Sequence, residues 1–318
     1  MKTIFIINPQ AGKGNNISKL IDSIEAAASQ SGADVSFYVT KAPGDGKRFV
    51  SQYCKEHGVA RFIACGGDGT FGEVIGGIIG FDDAEAGVVP IGTGNDFCRN
   101  FGSDACFKSI AMQICGGTLK CDAIRYRTFI DGEIKEGYCA NMFNIGFDCA
   151  VADKTAEIKT KTFASGSLAY FLSILVTLIK KKSTNVKIEL DDILCHNGEL
   201  LLTSVANGCY CGGGIKSNPL ARVNDGCINI NIIKNVSRMK FISLLPHYMK
   251  GSFMGLKRAA DVITSRKCQK ITLTPKDSKL RLCIDGEIID AGKTEFEVVH
   301  DAFNFVVPHV KQKEYISV

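Results

Sequence analysis

The 318-residue chain has no CxxC pair and no Cys/His cluster at zinc-ligand spacing, although it holds fourteen cysteines. The usual sequence signature of a structural zinc site is thereby missing. Cys54, Cys65, Cys139 and Cys227, all set in apolar or strand-like runs, read as reduced thiols of a reducing cytosol. Long apolar runs are also missing. A membrane-spanning helix needs roughly 20 residues, and LAYFLSILVTLIKKK (Leu168–Lys182) offers about twelve nearly uncharged ones before its lysines. That segment reads either as a buried helix with lysines at its dipole-negative end or as a helix lying near anionic lipid. The opening MKTIFIINPQAGKG has too short an apolar run for a signal peptide and enters a glycine turn, so a first strand is expected. No internal repeat or low-complexity tract appears. The standard nucleotide motifs are missing too. No GxGxxG follows the first strand, and GEIIDAGKT is one residue too long for a P-loop and runs into a strand-like EFEVV. The net charge of +5 is mild; it permits a nucleotide or an acidic membrane surface and gives no reason to expect nucleic acid.

What is present is an ordinary globular composition, 45% apolar and 22% charged, in a chain long enough for two domains. Over the first 120 or so residues the period alternates. KTIFIIN, DVSFYVT, ARFIA and GVVPI read as strands. ISKLIDSIEAAAS, GDGKRFVSQYCKEHG, FGEVIGGII and the stretch Asp104–Cys115 read as helices. This predicts a parallel sheet covered by helices on both faces, with ligands beyond the carboxyl ends of its strands. Glycine-rich stretches fall at those ends: NPQAGKG, TKAPGDG, GGDGT and GTGND.

Beyond about Lys120 the texture becomes β-rich, with hairpin turns expected at Asp131-Gly132 and Asn197-Gly198 and helices near 162–182 and 238–260. The expected division is an α/β domain over 1–121 and a β-rich, β-sandwich-like domain over 122–318, whose extreme C-terminus can pack back on the first.

Glycines where a strand becomes a helix let main-chain N–H groups approach an anion, and the helix N-terminus adds a favourable dipole. Gly66, Gly67 and Gly69 therefore suit phosphate, and Lys13 offers a charge to neutralise it. Taken singly, these features are weak. Gly-Gly-Asp-Gly is as often a tight turn, Asp225-Gly226 and Asp285-Gly286-Glu287 are ordinary turns, and Asp122 alone carries no signal.

The series carries more. GGDGTFGEVI with PIGTGNDFCRNFG, followed in order by NIGFDCAV, ANGCYCGGG, NPLARVNDGCINI and CIDGE, resembles the diacylglycerol kinase catalytic family, specifically its soluble bacterial lipid kinases. The resemblance covers nearly the whole chain. It implies an NAD kinase/diacylglycerol kinase-like two-domain architecture in which the first domain binds ATP and the second presents a lipid hydroxyl. Asn8, Gly12, Lys13, Thr40, Gly66, Gly67, Gly69, Thr70, Glu73, Thr93 and Asn95 take the nucleotide-binding positions. Asp225 takes the magnesium position, with Asn224 standing where the family carries a first acid. Asp68, Asp96 and Asp122, with Lys13 and Arg99, form a polar network between metal and phosphates. Glu287 is implied as general base, and Asp68 is grouped with it as catalytic.

The implied reaction is magnesium-dependent transfer of the ATP γ-phosphate to a lipid, with diacylglycerol as first acceptor and phosphatidic acid as product. A sphingoid base, monoacylglycerol or polyprenol stand behind it. An NAD kinase or a non-catalytic nucleotide- or lipid-binding protein of the same fold are the alternatives. A cytoplasmic protein visiting the inner, anionic face of a membrane is expected, with a homodimer as one oligomeric state.

Overall fold

In a computed structural model of the chain, the described residues are 1–12, 17–102, 104–147, 149, 151, 154, 173, 183–277 and 279–307. Lys13 and, apart from Ser173, the Leu168–Lys182 segment lie outside them, as does most of the helix expected near 162–182. The chain forms two compact units: Met1–Asp122 together with the chain from Asp301 onward, and Ala123–His300.

The first unit is built on a parallel sheet. Its strands are β1 (Thr3–Ile7), β2 (Val35–Val39), β3 (Arg61–Gly66) and β4 (Glu85–Pro90). β1 lies between β2 and β3, and β4 follows β3. A fifth neighbour comes from the far end of the chain, where Asn304 and Phe305 pair with Glu85 and Ala86 in parallel register. Every residue of β1 is buried, the pattern of a central strand covered on both faces. Phe5 and Ile7 pack with Ile24 and Ile114, from helices α1 (Ile17–Ser31) and α5 (Ile110–Cys115). The alternate side chain Ile6 faces Gly46 of α2 (Asp45–His57), which packs on α3 (Asp68–Ile78). The helix expected over 104–115 is broken. A short α4 (Asp104–Phe107) stops before Ser109, whose extended backbone starts α5.

Six phenylalanines, Phe71, Phe97, Phe101, Phe107, Phe303 and Phe305, stack along this unit with ring centroids mostly 5–6 Å apart. Two of them are contributed by the returning strand.

The second unit is antiparallel. β5 (Gly117–Ile130) and β6 (Glu133–Cys139) form the hairpin expected at Asp131-Gly132, where both φ values are positive (50° and 81°). β7 (Met142–Gly146), β8 (Thr184–Leu190), β9 (Ile193–Ala206), β10 (Ile228–Lys234) and β11 (Ile263–Cys268) follow. β12 (Lys270–Pro275), β13 (Leu280–Ile284), β14 (Glu287–Ala291) and β15 (Lys293–Val307) complete the series, and the part of β15 from Asp301 belongs to the first unit. The long β9 is shared by β8, β7 and β10.

The Asn197-Gly198 turn is not formed. Those residues lie inside β9, opposite Lys187 and Val186. The chain reverses earlier, at Asp191-Asp192, where φ is 47° and 65°. Tertiary bonds select that position: Asp191 Oδ1 accepts the N–H groups of Gln269 and Lys270, at 3.0 and 2.9 Å. α6 (Arg238–Lys250) ends at Gly251, which splits the expected 238–260 helix into α6, a 3-10 turn (Ser252–Gly255) and the short α7 (Lys257–Ala260). All fourteen cysteines are free thiols.

Candidate active site

The strand order of the first unit reverses at β1. The chain goes outward to β2, then back across to β3 and β4, which makes the β1/β3 boundary a topological switch point, where such sheets bind ligands. Asn8 leaves β1 at that boundary. Its main-chain N–H donates to Cys65 O at 3.1 Å, and its side-chain Nδ2 donates to Thr70 Oγ1 at 3.1 Å. Gly12 follows in the same loop with φ of 78°.

Sequence reasoning placed GGDGT in a loop before a helix. The helix in fact begins inside it, with Gly67 as the extended capping residue and Asp68, Gly69 and Thr70 as the first turn of α3. Gly67, a glycine, brings no side chain to cap that end. The dipole at that end favours an anion, and Gly69 is exposed there.

The glycines have a second reason. A Cβ on Gly66 would fall 2.1 Å from Thr70 Oγ1, and one on Gly94 would fall 2.5 Å from Asp68 Oδ2. Gly92, which the sequence reading did not single out, faces Gly67. The loops after β3 and β4 are thus pressed together, and glycine is what permits it. Asn95 sits between them, buried, with φ of 55°. Its Nδ2 donates to Gly92 O at 2.8 Å, while its Oδ1 has no protein partner. A buried acceptor left open beside a glycine-lined helix end is an observation that fits a ligand carrying N–H or O–H groups as well as phosphates.

Thr93 is exposed on the same loop and Thr40 is buried at the end of β2, bonded through its N–H to Ile7 O at 2.9 Å. Glu73 has another partner set. Its two carboxylate oxygens accept the N–H groups of Gly44 and Gly46, at 2.7 and 2.8 Å, so it braces α3 to the N-terminus of α2.

Asp68, Asp96 and Arg99 are linked. Asp68 Oδ1 accepts the N–H of Asp96 at 2.7 Å and of Phe97 at 3.4 Å. Arg99 Nε lies 3.6 Å from Asp96 Oδ1, and Arg99 Nη2 donates to Gly94 O at 3.1 Å. Burial pushes the Asp68 carboxyl above the usual carboxylate range, and the main-chain N–H bonds only partly offset it. The fully buried Asp122 accepts the N–H of Asp301 at 2.9 Å, which fixes the point where the chain re-enters this unit.

In the second unit Glu287 is exposed and opens β14. Before it, Asp285-Gly286 is a two-residue hairpin turn with φ of 45° and 99°. Asp285 is held in place: Oδ1 accepts Met142 N–H at 3.0 Å and Oδ2 accepts the Cys139 thiol at 3.1 Å. Burial, then the Asp285 charge, drives the Cys139 thiol well up. Burial also raises the Tyr126 phenol, with smaller contributions from Cys139 and Glu287. Asp225 Oδ1 accepts Cys227 N–H at 3.2 Å and Oδ2 pairs with Lys267.

Comparison with known proteins gives the family. The diacylglycerol kinase catalytic domain family matches residues 2–125, and the YegS C-terminal NAD kinase beta sandwich-like domain family matches residues 141–307. The diacylglycerol kinase of Bacillus subtilis (strain 168) is 27% identical over 97% of each chain. Lipid kinase YegS of Escherichia coli (strain K12) is 30% identical over 64% of this chain and 66% of its own. The crystal structure of a diacylglycerol kinase from Bacillus anthracis str. Sterne superposes with a TM-score of 0.70 at 20% identity, covering 98% of both chains. The protein belongs to the diacylglycerol kinase/YegS-like family of lipid kinases, with an N-terminal catalytic domain and a C-terminal NAD kinase-like β-sandwich domain. Among the described residues no helix is long and apolar enough to cross a membrane.

Proposed function

We propose that the protein transfers the γ-phosphate of ATP to a lipid hydroxyl, with diacylglycerol as acceptor and phosphatidic acid as product. The observation that carries the nucleotide half is the meeting of three loops at the switch point: Asn8 bonded to Thr70, the start of α3 at Gly67, and Asn95 with its open Oδ1. The N–H groups at the start of α3 would take phosphate oxygens, and Asn95 Oδ1 would accept from the nucleoside.

Phosphoryl transfer asks a protein mainly for positioning and charge stabilisation. Asp68, Asp96 and Arg99 supply an ordered polar set beside the phosphate loops. Glu287, exposed and directly after a turn fixed by Asp285, is suited to accept the proton of a lipid hydroxyl. Magnesium, when bound, supplies charge neutralisation to the phosphates. Asp225 offers an oxygen of the type this ion prefers, but Lys267 engages the same carboxylate, so cation and lysine compete for it.

The test incubates purified protein with labelled ATP, magnesium and detergent-dispersed diacylglycerol, with monoacylglycerol, a sphingoid base and NAD in parallel. Labelled phosphatidic acid as the dominant product is expected. Label appearing in NADP, or in no product at all, would overturn the reading.

A further inference from the structure

Asp225 stands where the family resemblance places magnesium, and the fold gives its carboxylate other partners. Oδ1 accepts Cys227 N–H at 3.2 Å across the turn at Gly226, where φ is 67°, and Oδ2 accepts from Lys267 Nζ. Both oxygens are engaged. The lysine is presented by regular structure. It lies on β11, directly opposite Asn229 of β10, the strand that leads out of the Asp225 turn. The preceding Asn224 is neutral, so the turn itself carries a single acid.

The surroundings repeat the pattern. Asp191, Asp192 and Glu297 line one hollow with Asp225, a composition that would draw a divalent cation. Yet Asp191 Oδ1 accepts the N–H groups of Gln269 and Lys270, and Asp192 Oδ1 accepts from Lys270 Nζ at 3.1 Å. Glu297 stands directly opposite Lys270 in the β12/β15 ladder. The carboxylates of this hollow thus meet lysines and main-chain donors of their own unit.

Magnesium demands near-ideal octahedral geometry from oxygen ligands. An ammonium on the same carboxylate occupies one of the oxygens and, at about 5 Å, weakens divalent binding about tenfold even at the dielectric of water. The Lys267 and Asp225 side chains are 46% and 25% exposed, so their pairing contributes little to stability. Its effect falls on what else the carboxylate can bind.

We infer that Lys267 takes the place of a divalent cation at Asp225. The residues present there do not fit magnesium, the lysine prevails in the competition for the carboxylate, and the second unit holds this turn with a cation of its own. This is a property of the nucleotide-free protein and does not depend on which acceptor, if any, it phosphorylates.

The experiment titrates the full, nucleotide-free chain with manganese, a paramagnetic stand-in for magnesium, and reads the free ion by electron paramagnetic resonance. Wild type and Asp225→Asn should give the same binding curve. Lys267→Met and Lys267→Gln remove the charge from a half-exposed side chain; each should gain a site about tenfold tighter than any binding wild type shows there. Adding Asp225→Asn to either should abolish that site. Lys267→Arg, which keeps the charge, should behave as wild type. A site that wild type loses on Asp225→Asn would make Asp225 a metal ligand in spite of the lysine and overturn the inference. So would charge-removed variants that gain nothing, or a Lys267→Arg variant that gains as they do.

Discussion

Gly92 and Gly67 meet backbone to backbone: a Cβ on Gly92 would fall 2.4 Å from Gly67 Cα. Neither side can move without parting the loops after β3 and β4. Gly92→Ala is therefore expected to cost about 1–3 kcal/mol of stability, the range for forced overpacking, and to weaken ATP binding with it. Gly72→Ala is the comparison, because nothing lies within 4 Å of its Cβ on α3. There the gain in helix propensity should stabilise by about 0.5–1 kcal/mol. Urea midpoints for the two variants check both signs.

Glu73→Gln tests the brace between α3 and α2. The carboxylate accepts from two main-chain N–H groups, whereas glutamine would turn an NH₂ toward one of them. A loss of about 1–3 kcal/mol is expected in the absence of any nucleotide. An unchanged thermal midpoint with weakened ATP binding would instead assign Glu73 directly to the ligand.

Asp68 gives a pH dependence of definite sign. Its pKa is raised in the fold by burial, so the fold holds that proton more tightly than the unfolded chain does. The Asp68 contribution then favours the fold below the ordinary carboxylate value and is lost as pH rises through the raised one. Asp68→Asn should be at least as stable as wild type at neutral pH, with a flatter decline from about pH 4 upward, while losing phosphoryl transfer. Urea midpoints across that range make the comparison. A slope in the variant equal to wild type would place the titration on another group.

Glu287 and Asp285 should separate chemistry from stability. Glu287→Gln is expected to keep the thermal midpoint and ATP binding and to lose about 10²–10⁴-fold in phosphorylation rate. Asp285→Asn should do the reverse. It tolerates the positive φ but leaves one of two bonded positions without a carboxylate oxygen, costing about 1–3 kcal/mol with turnover largely retained. Midpoints and initial rates measured on the same preparations give the answer. A Glu287→Gln enzyme with full turnover would remove its role as base.

Much of this architecture could be read from the chain. The alternation of period gave the four strands of the parallel sheet, and the glycines marked their carboxyl ends. Strand order could not be read, because which neighbour β1 takes is a tertiary choice. The switch point therefore emerged only with the fold. The same holds for side-chain partners distant in sequence. Glu73 lies 27 residues from Gly46, and Asp285 lies 143 from Met142, so neither role had a local signal. Local turn chemistry misled at Asn197-Gly198, where the Asp191 carboxylate bonds secured a different reversal. It misled again at GGDGT, where Asp68 to Thr70 are helical despite the low helix propensity of Gly69.

The pairing of Asn304 and Phe305 with β4 has a consequence for synthesis. Nascent chains emerge N-terminus first, and domains generally fold as they leave the ribosome. Here the strand that flanks β4, and the ring of Phe305 that packs against Phe71, Phe97 and Phe101, leave only after Ala123–His300 have been made. A chain arrested after Asp122 would hold an uncovered sheet edge and an aromatic cluster short of two rings, features that favour aggregation. In this protein the unit begun first is completed last.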